Sequence, residues 1–113
     1  MFKEVFKNID YPALLDTFDE LKLEGFPPWE LINENYSFWK KQFNDSNLSE
    51  HFPFARMIND DVIATFKNKN EEIYLFILPL SANSIANPFK IYTNINLWFK
   101  LVLDDSYEYI IDY

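Results

Sequence analysis

The sequence predicts an α+β fold, in which one domain packs helices against a small antiparallel sheet. Apolar residues recur at helical spacing near both ends of the chain, apolar runs of strand length occupy the middle, and turn-forming residues separate those runs. Of the 113 residues, 49% are apolar and 19% are aromatic, which is enough for a substantial core. Because the chain has a single glycine and no linker-like tract, residues 1–113 are predicted to form one domain.

Two helices are predicted in the first third of the chain. Residues 11–23 carry apolar side chains at helical spacing, with Asp10 as a potential N-cap and Gly25 after the last turn. The prolines at 27–28 end this helix, because proline cannot continue one. A second helix is predicted from a stripe of apolar residues spaced three and four apart, namely Trp29, Ile32, Tyr36, Trp39 and Phe43.

Three strands are predicted in the middle of the chain, at residues 52–57, 62–66 and 73–78. Polar residues at 59–61 and 67–70 are predicted to form the turns between them, since Asn and Asp tolerate positive φ. The third strand is apolar on both faces, which predicts a position inside the sheet.

A last helix is predicted over residues 94–109, with Asn94 as its potential N-cap. Residues 81–89 show no periodic pattern and are predicted to be irregular. The predicted order is therefore two helices, an antiparallel meander and a closing helix, with the helices packed on one face of the sheet.

The chain is acidic, with 18 acidic and 10 basic side chains and a formal net charge of −8. Residues 1–34 carry −5 (eight acids, three bases), residues 101–113 carry −4 (four acids, no base), and residues 35–100 carry +1 (six acids, seven bases). This balance argues against nucleic-acid binding, which needs Lys and Arg to neutralise phosphates. An acidic surface either serves ordinary solubility or attracts a basic protein partner and speeds association.

The sequence contains no recognisable catalytic or metal-binding constellation. The chain has no cysteine, and the single histidine, His51, cannot anchor a catalytic metal alone, so a structural or surface role is expected for it. One glycine cannot build a phosphate-binding loop, and no serine lies in a nucleophile-elbow motif. These observations predict a protein that is not an enzyme and binds no cofactor or metal.

The expected location is the cytoplasm. The first seven residues carry charge throughout and lack the apolar run of a signal peptide. The longest strongly apolar stretch, residues 73–80, is too short to span a bilayer. No membrane association is therefore predicted.

Paired carboxylates are the remaining candidates for a functional site. One predicted hairpin is flanked by two such pairs, which comprise Asp60, Asp61, Glu71 and Glu72. A third pair, Asp104–Asp105, lies on the last predicted helix. Solvated charge is the usual role at such positions, and an Asp can also close its turn by accepting from a backbone N–H. Contact with a protein partner and acid–base catalysis by two carboxylates of different pKa are the alternatives.

Aromatic residues offer two further candidate surfaces. The stripe on the second predicted helix is expected to face the core, although exposed rings at this spacing could also stack on nucleic-acid bases or sugars. Tyr107, Tyr109 and Tyr113 are better candidates for exposure, and Tyr is a common anchor in protein interfaces.

Residues 51–66, HFPFARMINDDVIATF, resemble the SUKH superfamily, which includes a yeast regulator of cell-wall synthesis and many bacterial immunity proteins. The shared features are a Phe-Pro-Phe-Ala strand, a short acidic turn and a following strand that ends in an aromatic residue. Residues 29–36 resemble the helix before that strand, and residues 92–99 resemble the closing helix. The Asn-Gly-Gly-type turn of many members is absent from this chain, and residues 78–89 carry no family motif.

The resemblance implies a binding domain without catalytic activity. Bacterial members of the superfamily are typically regarded as neutralising toxins, often nucleases, that neighbouring cells deliver. Because nuclease surfaces tend to be basic, an acidic inhibitor is physically reasonable. The hypothesis is an immunity protein that binds a basic toxin domain, with the four turn carboxylates at 60–61 and 71–72 as contacts. The alternatives are an intracellular regulatory or scaffold domain with another protein partner, and hydrolysis by a carboxylate pair.

Overall fold

The structure, a computed structural model, describes residues 1–59, 61–80 and 87–111. The helices in these ranges are α1 (Phe2–Val5), α2 (Leu14–Glu20), α3 (Tyr36–Asp45) and α4 (Ile95–Ile111). The strands are β1 (Gly25–Phe26), β2 (Trp29–Leu31), β3 (His51–Met57), β4 (Val62–Lys67), β5 (Ile73–Ile77) and β6 (Lys90–Tyr92). The predicted α+β fold, with helices packed against an antiparallel sheet, is confirmed.

The strands of the described residues form one six-stranded sheet in chain order, each strand antiparallel to the next. Its centre is the β3–β4–β5 meander, in which Val62 pairs with Met57 on one side and with Ile77 on the other. The three predicted strands are these three, and β5 lies inside the sheet, between β4 and β6, as predicted. Because residues 62–66 of β4 are all buried, both faces of this strand are covered.

The helices cover both faces of the sheet, whereas the sequence predicted them on one. The face that we call the α4 face is packed by α1, α2 and α4 and carries alternate side chains of β4 and β5, namely Val62, Ala64, Phe66, Ile73 and Leu75. The opposite face, which we call the α3 face, is packed by α3 and carries the intervening side chains Ile63, Tyr74 and Phe76. Side chains alternate across a strand, so strands that are apolar throughout need cover on both sides.

A β-bulge in β3 places Phe54 in the core beneath α4. The pairing of β3 with β4 shifts between Pro53 and Ala55, so Phe54 is the extra residue. Its side chain is fully buried, and its ring makes a T-shaped contact with the ring of Trp98 at a centroid distance of 5.0 Å. Pro53 has no N–H to donate to the ladder, which makes it compatible with this irregular position.

The first half of the predicted second helix is wrong. Residues 29–31 form strand β2, and the helix begins only at Tyr36. Burial alternates along residues 29–31, as expected for a strand that pairs with β3. The predicted aromatic stripe is therefore divided between the two faces, because Trp29 belongs to the α4-face core and Phe43 to the α3-face core.

The two predicted N-caps, Asp10 and Asn94, have different outcomes. The helix α2 begins after Ala13 without a side-chain capping bond, and Asp10 lies upstream, where its backbone N–H donates to Oδ1 of Asn68 at 2.7 Å. Asn94 does cap α4, since its Oδ1 accepts from the backbone N–H of Leu97 at 3.1 Å. The predicted cap of the first helix is therefore wrong, and that of the last helix is confirmed.

Three short elements were not predicted from the sequence: α1, β1 and β6. Each has two to four residues, too few to show a periodic pattern. Of the predicted irregular segment 81–89, residues 81–86 lie outside the described residues. The backbone N–H of Phe89 donates to the carbonyl of Leu75 at 2.9 Å, which starts the pairing of β6 with β5.

A side-chain hydrogen bond joins α4 to the β2 side of the sheet. Nε1 of Trp29 donates to Oδ2 of Asp105 at 2.9 Å. The ring of Trp29 also makes a T-shaped contact with that of Trp98 at 5.5 Å. Because Trp29 is almost fully buried, its indole N–H depends on Asp105 for an acceptor.

We predict that Asp105→Ala lowers the free energy of unfolding by about 1–3 kcal/mol, because a buried indole N–H loses its acceptor. Asp104→Ala is the matched control, since Asp104 is exposed, adjacent and in the same helix, and the gain in helix propensity is the same. The control should change stability by less than about 0.5 kcal/mol. Urea unfolding of both variants gives the comparison, and equal effects would mean that the Trp29–Asp105 bond does not stabilise the fold.

Candidate functional site

The predicted contact residues do not form one surface. Asp61 lies in the β3–β4 turn, Glu71 and Glu72 lie in the β4–β5 turn, and Asp60 lies outside the described residues. The two turns are at opposite ends of β4. At roughly 3.3 Å per residue, the five steps from Asp61 to Phe66 alone separate them by about 16 Å. The two ends are therefore separate candidate sites.

At the β4–β5 turn, the carboxylates take part in local structure. The backbone N–H of Glu72 donates to Oδ1 of Asn70 at 2.7 Å, and the hydroxyl of Tyr74 donates to Oε1 of Glu72 at 3.3 Å. Glu71 is exposed and lines an open groove of about 840 Å³ beside the starts of α2 and α4. Closure of the turn by such local bonds is the ordinary role of polar residues at this position.

At the other end of β4, Asp61 lies near the only arginine of the chain. Nη2 of Arg56 is 3.8 Å from Oδ1 of Asp61, and Nη1 is 3.5 Å from Oε1 of Glu30. The guanidinium also lies over the ring of Trp39, with its Cζ 4.9 Å from the ring centroid. Arg56 projects from β3 to the α3 face, and its side chain is only 19% exposed. The sequence analysis did not identify this cluster.

A cavity of about 300 Å³ opens beside this arginine, lined by Phe38, Trp39, Gln42, Arg56, Asp61, Leu78, Pro79 and Leu80. Phe38 is 56% exposed and meets Trp39 edge-on at 4.9 Å. The cavity therefore combines an exposed aromatic ring and a partly buried arginine with an acidic rim. We call this set of residues, together with Glu30, the Arg56 site.

Two hydrogen-bond donors of the Arg56 site have no acceptor within the described residues. Nε of Arg56 and Nε1 of Trp39 are both buried without a partner. The contacts of the two terminal nitrogens with carboxylates, at 3.5 and 3.8 Å, are longer than a good charge-assisted hydrogen bond. Buried donors without an acceptor are costly in a folded protein.

The Arg56 site contains residue types that are typical of protein interfaces. Trp and Arg are the residue types most enriched among those that dominate binding energy in interfaces. Acid–base catalysis by paired carboxylates typically uses a carboxyl group buried in a cleft, but the side chain of Asp61 is 67% exposed and Glu71 is exposed. These two carboxylates therefore lack the environment that the catalytic alternative needs.

One feature of the sequence could have indicated the Arg56 site. Phe38 and Trp39 are consecutive in α3, and neighbouring side chains on a helix point about 100° apart. Two large adjacent aromatic residues therefore occupy a wide arc of the helix, and in α3 one of them, Phe38, is left 56% exposed. The proximity of Arg56 and Glu30 depends on the β2–β3 pairing, in which these two residues are directly opposite.

His51 lies in the core of the α3 face and has no part in the Arg56 site. It is 3% exposed, and Nδ1 is 2.8 Å from Oγ1 of Thr65. The rings of Tyr74 and Phe76 pack edge-on against its imidazole, each at a centroid distance of 4.9 Å. Burial, with the nearby charge of Lys67, lowers the pKa of His51 to about 4.

Three further features concern metal binding, membrane-spanning helices and the C-terminal tyrosines. Among the described residues, no group of three or more His, Cys, Asp or Glu side chains is arranged to hold a metal ion. None of the helices in the described ranges has both the length and the apolar character needed to cross a membrane. Tyr107 is exposed, Tyr109 is half-buried, and Tyr113 lies outside the described residues.

Comparison of the chain with protein-family models, curated proteins and solved structures gives no match. The SUKH resemblance of residues 51–66 therefore stays a prediction from the sequence.

Stability is expected to fall as pH decreases from about 6.5 to about 4, because His51 is neutral in the fold. Its pKa is lowered from 6.5 to about 4, so the unfolded chain binds the proton first. At about 1.4 kcal/mol for each pKa unit, the stability present above pH 6.5 declines by about 3 kcal/mol. Urea unfolding between these pH values should show a steeper loss for the wild type than for His51→Asn, and parallel pH profiles would contradict this account.

Proposed function

We propose that this chain is a protein-binding domain without catalytic activity, which acts in the cytoplasm as an immunity protein and neutralises a basic toxin by binding it. The observation that supports this proposal most directly is the Arg56 site. This site shares three features with protein interfaces: an exposed aromatic ring at Phe38, an arginine over an aromatic ring at Arg56 and Trp39, and a rim of carboxylates.

Charge supports a basic partner. The chain carries −8 overall, and two carboxylates with one arginine give the Arg56 site a local charge of −1. A basic surface is therefore attracted to the whole molecule and to this site, which raises the association rate at low salt. The sequence resemblance to the SUKH superfamily makes a toxin, including a nuclease, the first partner to test.

The test is a pair of charge-neutralising variants that separates the two acidic ends. Glu30→Gln/Asp61→Asn removes two charges at the Arg56 site, and Glu71→Gln/Glu72→Gln removes two at the opposite end of β4. The wild type and both variants serve as bait in a lysate of the source organism, and captured proteins are quantified by mass spectrometry. We expect one basic toxin to be captured by the wild type and by the Glu71/Glu72 variant, and about tenfold less of it by the Glu30/Asp61 variant.

Three outcomes would contradict the proposal in different ways. Equal capture by the two variants would exclude the Arg56 site as the contact. Capture of a partner without toxic activity would favour the regulatory or scaffold function. A captured toxin whose activity is unchanged by a saturating amount of this protein would exclude neutralisation.

A further inference from the structure

The helix α4 is apolar on its outer side as well as on the side that packs on the sheet. Its inner side is buried through Ile95, Trp98 and Val102. On the outer side, Leu103 is 48% exposed, Tyr107 67% and Ile110 70%, and these residues follow one another at spacings of four and three. A surface helix is normally polar on its outer face, so this stripe lacks the cover that its composition requires.

Charges on the same outer face are separated along the helix. Lys100 lies in the amino-terminal half, and Asp104 and Glu108 lie toward the carboxyl end, where no basic residue occupies the last turn. The carboxyl end of a helix carries a partial negative charge, so acidic residues there are unfavourable for an isolated helix. An antiparallel neighbour would supply the missing positive charge, because its positive end would lie beside these acids.

We propose that the outer face of α4 binds a second copy of this chain, with the two α4 helices packed antiparallel about a two-fold axis near Leu103. In such an isologous pair, each contact occurs twice. Leu103 lies at the axis and packs on Leu103 of the second copy, and Ile110 of each copy lies beside the first turn of the other α4. Lys100 of each copy faces Asp104 of the other.

Helix geometry makes this pairing consistent on both sides of the contact. Viewed down the helix axis, at 100° per residue, Tyr107 and Lys100 lie within 20° of each other. Leu103 and Ile110 lie to one side of these two residues, and Asp104 and Glu108 lie to the other. A two-fold axis across antiparallel helices brings like sides together, so Leu103 of one copy meets Leu103 of the other. On the charged side, Lys100 of one helix and Asp104 of the other lie within one helical turn of each other, because the axis passes between these two positions.

The outer face of α4 fits a second copy better than it fits a basic partner. A basic surface would leave Lys100 facing like charge, whereas a second copy pairs this lysine with a carboxylate. The face also lies on the opposite side of the sheet from the Arg56 site, so self-association leaves that site free. This inference does not rest on the proposed function.

Net charge sets the expected salt dependence. Two copies that carry −8 each repel one another at long range, and salt screens this repulsion. Self-association should therefore strengthen between about 0.02 M and about 0.15 M salt. Binding to a basic partner should weaken over the same range, so the two interactions are distinguishable by the sign of the salt effect.

Sedimentation velocity of the full chain tests the pairing, over about 10–200 µM protein at both salt concentrations. We expect a monomer–dimer equilibrium for the wild type, weakened at least about tenfold by Leu103→Glu, because the substitution would bury a charge in the contact. Leu21→Glu is the matched control, since Leu21 is 64% exposed and lies outside α4, and it should leave the equilibrium unchanged apart from the effect of one added charge.

A charge exchange tests the antiparallel register without changing the net charge. Lys100→Glu and Asp104→Lys should each weaken the dimer, and the double variant Lys100→Glu/Asp104→Lys should restore it. A wild type that stays monomeric at both salt concentrations would overturn the proposal. A dimer that is insensitive to Leu103→Glu, or one that the double variant fails to restore, would overturn the proposed contact.

Discussion

Burial of β4 on both faces is the constraint on which the rest of the fold depends. Every residue from Val62 to Phe66 is buried, and side chains in a strand alternate between the two faces. Apolar cover is therefore needed on both sides of the meander. Trp98 and its neighbours in α4 supply it on one face, and Phe43 in α3 supplies it on the other. The sheet therefore lies between two layers of helices, and the molecule has separate surfaces on its α3 and α4 sides.

The parts of the fold that could be predicted are those whose pattern is local. The β3–β4–β5 meander follows from apolar runs separated by short polar turns. Asp61 adopts positive φ, 51°, in the first turn as predicted, whereas in the second turn the positive φ, 58°, belongs to Lys69 and not to an Asn. The cap at Asn94 likewise needs only residues three positions apart. These elements are encoded within a few neighbouring residues, so their prediction did not depend on how distant segments pack.

The errors arose where one pattern fits two structures. Residues 29–31 satisfy a helical spacing when they are read with Tyr36 and Trp39, and they satisfy strand alternation when they are read alone. The choice between the two is made by pairing with β3 and by the bond between Trp29 and Asp105, both distant in the chain. The Arg56 site was missed for the same reason, since it is assembled from α3, β2, β3 and the β3–β4 turn.

The separation of surfaces by the sheet also makes the two proposed contacts compatible in one acidic chain. Arg56 is on the α3 face, where its unsatisfied donors and exposed neighbours suit a partner of different composition. The outer face of α4 has one cation and two acids arranged along a helix, and such an order is complementary to itself when reversed. Long-range repulsion between two copies opposes the contact at the outer face of α4. Attraction to a basic partner favours the contact at the Arg56 site. Salt therefore shifts the balance between them in opposite directions, and the net charge of −8 couples two surfaces that share no residue.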